Sequence, residues 1–379
     1  MNSLYMTIGL LYFAEGLMGI FIPIYFWKLG FPLWKILFFY FLISFSFVLI
    51  LFAALPAIRK LSDKMMMFLS IPFLVAYFFG LTYLADIPFL FYILPIMAAA
   101  GSLLFNVGYH IDFSGTADDG YIGREVGMRY MIGSLAQFAA PLAGGFLIAF
   151  LGFGNNFFIG SAILLLAVLP LFFFPKRNFS RRLNYRSVLR FLKDKALMPF
   201  TISGFGYATE TTVGQVIWPL FIFLSVGSIE NYGAVISGGL LVGAVVTYLV
   251  GFLSDHGRRR KTLAWSASAL AAIWALRPFF LNPFIVSASQ AGGAGVKGAL
   301  MVSWSSQYYK IARAIPNHET FILSREMLYH LARMLFLPFL MLASYLFSSS
   351  QFFTFSFIIA ALFSLLFLFA NRFHLQPKS

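Results

Sequence analysis

Glu15, Glu210, Lys297 and Arg333 each interrupt a long apolar run of this sequence. A charged group surrounded by hydrocarbon must face protein or a water-filled cavity, find an opposite charge, or exchange a proton. Glu15 and Glu210 sit well inside their runs, so at least one is a candidate for binding a proton or a charged solute. The alternative for either acid is a buried structural ion pair. Lys297 stands among Ala291, Gly292, Gly293, Ala294, Gly295 and Gly298, small residues that let a neighbouring helix come close. Its ammonium needs an anion, which is either a solute or Glu210. Arg333 follows Arg325 by eight residues and returns close to the same helical face, within reach of the interior. His330, five residues after Arg325, falls off that face and reads as a hydrogen-bonded packing residue. Arg124-Glu125 and Arg325-Glu326 are adjacent acid–base pairs near the ends of two runs, and read as ion-pair elements rather than solute ligands. Tyr109, His110 and Asp112 are positioned to join that network.

The elements that must hold these groups follow from composition. The chain of 379 residues is 60% hydrophobic and only 11% charged, too few charges to coat a water-soluble domain. Lipid solvates such a surface if every backbone polar group is satisfied internally. The apolar runs are continuous rather than alternating, which selects helices over a β-barrel. There is no cysteine, so thiolate metal sites, disulfides and cysteine nucleophiles are excluded, and no metal or other cofactor is expected. A net charge of +14 would suggest nucleic acid in a soluble protein. Here the basic residues fall between apolar spans, so they read as topology signals and no nucleic-acid partner is expected. With 49 Phe in the chain, no aromatic can be assigned to a site by type alone; Trp218 and Trp304 read as interface or packing residues before cavity ones.

Breaking the chain at Gly, Pro and charge clusters predicts about twelve transmembrane spans. Those of the first half fall at 3–26, 34–58, 65–85, 88–109, 126–150 and 156–175. Those of the second fall at 199–225, 232–253, 262–280, 283–308, 321–347 and 351–371. Met1 leads straight into an apolar run with no basic residue before it, which predicts a first span rather than a cleaved signal peptide. Alternate loops carry about 21 of the 27 basic residues, while Lys28, Lys35 and Arg277 are left to the opposite loops. That bias predicts a multi-pass protein of the plasma (inner) membrane with both termini in the cytoplasm. Residues 176–197 are the one long polar stretch, with Arg182, Arg186, Arg190 and Lys193 near helical spacing and Leu183, Leu189 and Leu192 between them. They predict an amphipathic helix on the anionic inner leaflet, or a partner-docking helix. This linker separates an N-terminal bundle, 1–175, from a C-terminal bundle, 198–379.

The bundles carry traces of an internal repeat. Phe13-Ala14-Glu15 followed by Pro23 echoes Ala208-Thr209-Glu210 followed by Pro219, and the two Arg-Glu pairs open spans 5 and 11. Matches six spans apart in the same direction favour a parallel repeat about an axis along the membrane normal.

After span 8 the chain reads Gly251-Phe252-Leu253-Ser254-Asp255-His256-Gly257-Arg258-Arg259-Arg260-Lys261. This resembles the signature loop of the major facilitator superfamily. By that resemblance Gly251, Asp255, Gly257, Arg258 and Arg259 form a gating latch on the cytoplasmic side. The matching position between spans 2 and 3, Pro56 to Lys64, lacks both glycines and carries Lys60 where the family has an aspartate. Ala140-Pro141-Leu142-Ala143-Gly144-Gly145 in span 5 is similar to a motif of the family's antiporters. Pro141 would kink the helix, and Gly144 and Gly145 would admit a close neighbour.

The resemblance implies an all-α membrane protein of about twelve transmembrane helices in two pseudo-symmetric six-helix bundles. It implies a monomeric secondary transporter that moves a small organic solute by alternating access. Proton coupling is expected from the intramembrane acids, with antiport favoured by the span 5 motif. No nucleotide-binding signature appears, so the sequence points to an ion gradient for any active transport. A passive facilitator or lipid flippase of the same fold is the alternative. A lipid-modifying membrane enzyme would need a clustered catalytic constellation, to which His110 and Asp112 come closest. A sensor or scaffold would need an output domain.

Overall fold

The computed structural model describes residues 2–116, 122–173, 185–253, 259–280, 282–315 and 317–372. The first crossing is α1 (Asn2–Met18), a 3-10 turn at Gly19–Phe21, and α2 (Ile22–Lys28). Pro23 stands in the first turn of α2, and its missing N–H accounts for the break before it. Then come α3 (Leu33–Ile58), α4 (Asp63–Thr82) and α5 (Leu90–Thr116). The Ser62 hydroxyl caps α4 by accepting from Met65 N at 3.2 Å. Next is α6 (Ile122–Leu166), which reverses at Gly152, where φ is 84°. A side chain there would be strained, so glycine lets one continuous segment serve as two crossings. The short α7 (Leu169–Phe172) ends this half, and α8 (Tyr185–Lys193) lies between the halves.

The second half repeats the opening. In it, α9 (Met198–Thr212) loosens into a π turn at Val213–Ile217 and resumes as α10 (Trp218–Val226), with Pro219 in its first turn. It continues through α11 (Ile229–Leu253), α12 (Arg259–Leu276), α13 (Pro283–Ala314), α14 (His318–Leu346) and α15 (Ser349–Ser364).

Among the described residues nine segments are long and apolar enough to cross a membrane, and one of them, Arg124–Phe172, is the doubled segment. Helices α12 and α13 complete twelve crossings and are less apolar for different reasons. The first opens on Arg259, Arg260 and Lys261. The second carries Gln290, Gly293, Lys297 and Met301 at three- and four-residue steps, a stripe that faces an internal cavity rather than lipid. The outer surface is apolar: Phe150 is 81% exposed and Leu335 71%, while Glu210, Arg277, Arg325 and Glu326 are buried. This inversion of the soluble pattern is what a lipid-solvated bundle requires.

The halves meet most extensively at two helix pairs. Between α6 and α11, the Leu142 N–H, next to Pro141 in α6, donates to Ser237 Oγ at 3.0 Å. A Cβ on Gly145 would lie 2.9 Å from the Ile229 carbonyl oxygen, and one on Gly233 would collide with the Pro141 carbonyl oxygen. Gly144 faces the other way, where a Cβ would lie 2.6 Å from the Leu17 carbonyl oxygen of α1. The Ala140–Gly145 motif therefore packs one helix against two neighbours. Between α3 and α14, the His330 ring stacks on Phe47 with centroids 3.7 Å apart. The packing reading of His330 holds, but its Nδ1 has no hydrogen-bond partner among the described residues.

Helix α8 touches both halves: Tyr185 Oη donates to the Phe52 carbonyl at 3.0 Å, and Ser324 Oγ donates to the Val188 carbonyl at 3.0 Å. Val188 is buried while Arg186, Arg190 and Lys193 are exposed, so the helix is amphipathic. Leu189 is exposed too, and Arg182 and Leu183 lie outside the described residues. The end of the bundle that carries α8 is termed the linker end below.

Candidate functional site

A cavity of about 420 Å³ is lined mainly by the second half, from α9 to α13, and closed on one side by Tyr130, Ser134 and Gln137 of α6. Glu210 occupies the last turn of α9, just before the π turn, with its side chain 1% exposed. Its carboxylate takes two donors: the Trp274 indole N–H at 3.1 Å on Oε1, and the Lys297 ammonium in an ion pair on Oε2. Lys297 comes from the polar stripe of α13 and remains 28% exposed toward the cavity. Of the two anions that the sequence left open for Lys297, a solute or Glu210, the structure pairs it with Glu210.

Arg277 requires a correction. Its place between apolar runs, next to Pro278, reads as a loop cation on the side opposite the linker. The structure buries it at 3% exposure on the cavity wall, at the start of the 3-10 turn Arg277–Phe279 that ends α12. Its guanidinium carbon lies 3.6 Å from the Trp218 ring centre and 3.8 Å from that of Trp274. Aromatic faces compensate part of the lost hydration of a cation.

A second chamber, about 460 Å³, adjoins the first and is shared by the two halves. Gln137, Gly214, Gln215, Trp218 and Gln290 line both. At this junction the Trp218 indole N–H donates to Gln290 Oε1 at 2.7 Å, which fixes both side chains. Glu15 faces the second chamber with Tyr40, Tyr77 and Tyr232. It is half-buried and makes no hydrogen bond or ion pair among the described residues. The two acids are local counterparts: each precedes by a few residues a helix irregularity followed by a proline-started helix, Gly19–Phe21 with Pro23 and Val213–Ile217 with Pro219. Of the two tryptophans, Trp218 lines both chambers. Trp304 is packed instead, donating to Ser203 Oγ at 3.0 Å and stacking on Phe200.

A polar network closes the linker end. Arg325 and Glu326 pair with each other inside the protein, and the Arg325 guanidinium lies 3.9 Å from the Tyr308 ring centre. From the first half, His110 Nδ1 is 2.6 Å from Tyr309 Oη and its Nε2 is 4.0 Å from Glu326 Oε1. Tyr130 Oη adds a second bridge, 2.9 Å from Ser305 Oγ. Arg333 is half-buried on α14, in the electrostatic field of Tyr207, Tyr329 and Glu326, and lines neither chamber described above. Arg124 is exposed and Glu125 half-buried at the start of α6. Of the expected latch, Asp255, Gly257 and Arg258 lie outside the described residues, Gly251 contributes only backbone to α11, and Arg259 opens α12 half-buried.

The sequence reading missed Arg277, the three glutamines at the chamber junction and the chamber tyrosines. The glutamines were the findable signal, since Gln137, Gln215 and Gln290 each sit within predicted spans, where a polar amide must find a partner or water. Among the described residues no group of three or more His, Asp or Glu side chains is arranged to hold a metal ion.

No family model matches the sequence, and no curated protein matches it. Solved structures do. The E. coli fucose:proton symporter FucP superposes with a TM-score of 0.70 at 14% identity, covering 99% of this chain and 98% of that one. The nucleoside transporter NupG gives 0.69 at 14%, covering 98% of each chain. A human organic anion transporter gives 0.69 at 12%, again covering 98% of each chain. At such identities the likeness is one of fold.

Proposed function

We propose that this protein, an all-helical multi-pass membrane protein of the major facilitator fold, is a secondary carrier that moves a small organic solute by alternating access. The observation that carries this reading is the paired chamber at the meeting of the halves, with one acid engaged and the other without an ion pair among the described residues. Glu210 is held by Lys297, so a solute or proton that displaces the lysine changes the charge balance of the cavity. Glu15, with no cation opposite it among the described residues, is the acid best placed to take and release a proton.

In this account residues 1–175 and 198–379 rock against each other at the α6–α11 and α3–α14 contacts, with 176–197 as tether. The network of His110, Tyr309, Arg325 and Glu326 acts as the gate at the linker end, assisted by Arg124, Glu125 and the loop from Gly251 to Arg259. Arg333 supports that gate from α14. The charge bias places the linker end in the cytoplasm, with both termini, in a plasma-membrane monomer. Antiport with protons is the mode that the Ala140–Gly145 resemblance suggests. The test is counterflow and pH-driven uptake in proteoliposomes across a panel of sugars, amino acids, organic anions and hydrophobic cations. Glu15→Gln or Glu210→Gln should abolish pH-driven uptake while sparing exchange. Wild-type coupling in both variants would overturn the proton role, and absence of counterflow for every solute would overturn the carrier.

A further inference from the structure

The first chamber holds a cation whose hydrogen-bonding edge meets no anion among the described residues. Arg277 sits in the corner between Trp218 and Trp274, whose ring planes are at 76° with centroids 6.0 Å apart. Its Nε donates to Ser289 Oγ at 3.3 Å. Its Nη2 rests against α13 at Gly293, where a Cβ would come within 2.8 Å. The tryptophan faces compensate the flat sides of the guanidinium, but its N–H bonds point outward in the plane, where π electrons cannot accept them.

No carboxylate pairs with Arg277 among the described residues. Glu210, the one acid on that chamber's described wall, is already taken by Lys297 and Trp274. The described wall therefore carries Arg277 and Lys297 against Glu210, an excess of one positive charge. A desolvated guanidinium with unmatched donors is costly to keep, and a planar carboxylate matches its fork with two parallel hydrogen bonds. A chamber of about 420 Å³ suits a small organic molecule.

We propose that Arg277 anchors the solute, and that the solute is a small organic monoanion whose carboxylate docks edge-on against the Arg277 terminal nitrogens. The single excess charge sets the charge of the guest; the two indoles flanking the guanidinium favour a flat or apolar body beside the carboxylate. Binding is argued from the chamber itself, and only its transport rests on the carrier reading.

The experiment uses the full chain in detergent, read by thermal unfolding and by tryptophan emission, because Trp218 and Trp274 bracket the proposed site. Acetate, lactate and benzoate are compared with acetamide, lactamide and benzamide, with sodium chloride matched for ionic strength. The result expected is that at least one carboxylate stabilises the protein and shifts its emission while its amide does not. Arg277→Gln should weaken that response roughly tenfold or more, the effect of losing a charge-assisted pair. Because that variant removes a buried packing residue, Gly293→Ala serves as a second, pushing the guanidinium aside while keeping every charge. It should weaken the response in the same direction. Equal responses to acid and amide, no response to any of the three carboxylates, or an undiminished response in both variants would overturn the proposal. Carboxylate binding in detergent without carboxylate counterflow in proteoliposomes would overturn the carrier reading and leave this site standing. Counterflow of a neutral solute with no carboxylate binding would do the reverse.

Discussion

Replacing either partner of the Glu210–Lys297 pair should destabilise the protein unequally, in an order set by burial. In Lys297→Met the carboxylate stays in a site where its side chain is 1% exposed, with the Trp274 N–H at 3.1 Å as its remaining donor. Leaving a buried charge without its counter-ion costs about 3–5 kcal/mol. In Glu210→Gln the amide oxygen can still accept from Trp274, and the stranded ammonium is 28% exposed and keeps cavity water. The loss there is one charge-assisted hydrogen bond, about 1.5–3 kcal/mol. The double variant removes both charges and should fall within about 1–2 kcal/mol of the wild type, since an uncharged pair has no desolvation to offset. Thermal unfolding of the four purified proteins at one scan rate gives the ranking without requiring reversibility. The expected order of stability is wild type near the double variant, then Glu210→Gln, then Lys297→Met. Equal losses in the two single variants, or a double variant no better than Lys297→Met, would refute the reasoning from burial.

Two further predictions concern packing and gating. Gly233→Ala drives a methyl group into the Pro141 carbonyl at the α6–α11 contact and should cost about 1–3 kcal/mol in the same unfolding assay. The control is Gly238→Ala on the same helix, where a Cβ meets nothing within 4 Å and the change should be neutral or stabilising by up to about 1 kcal/mol. His110→Phe removes the 2.6 Å contact with Tyr309 between the halves. The loss of about 1 kcal/mol should speed hydrogen exchange roughly fivefold at the linker ends of α5 and α13, and leave their far ends unchanged.

What the sequence made legible were features that depend on position along a helix. Glu15 and Glu210 announce themselves because a carboxylate inside an apolar run has few permitted fates, and their shared proline spacing marks the same break in both halves. Gly145 was legible as a packing residue because only the absence of a side chain lets the Ile229 carbonyl approach. Features that depend on rotation about a helix axis were hidden. Trp218 and Trp304 both lie within predicted spans, yet one lines the chambers and the other stacks on Phe200. Arg277 was misread because a cation beside Pro278 at the end of an apolar run has the signature of a loop. Trp274 stands one turn before it, but nothing local reveals that Trp218, from α10, converges on the same guanidinium. Tyr40, Tyr77 and Tyr232 could not be picked from 18 tyrosines until the second chamber was seen to join them.

The absence of cysteine allows a direct test of access to the first chamber. Thr211 lines that chamber, and Thr211→Cys would be the sole thiol of the chain. Right-side-out and inside-out vesicles carrying this variant are treated with a membrane-impermeant maleimide. The account predicts labelling from both faces, at rates that shift in opposite directions when a transported solute is added. Labelling from one face alone, with and without every solute tested, would contradict alternating access.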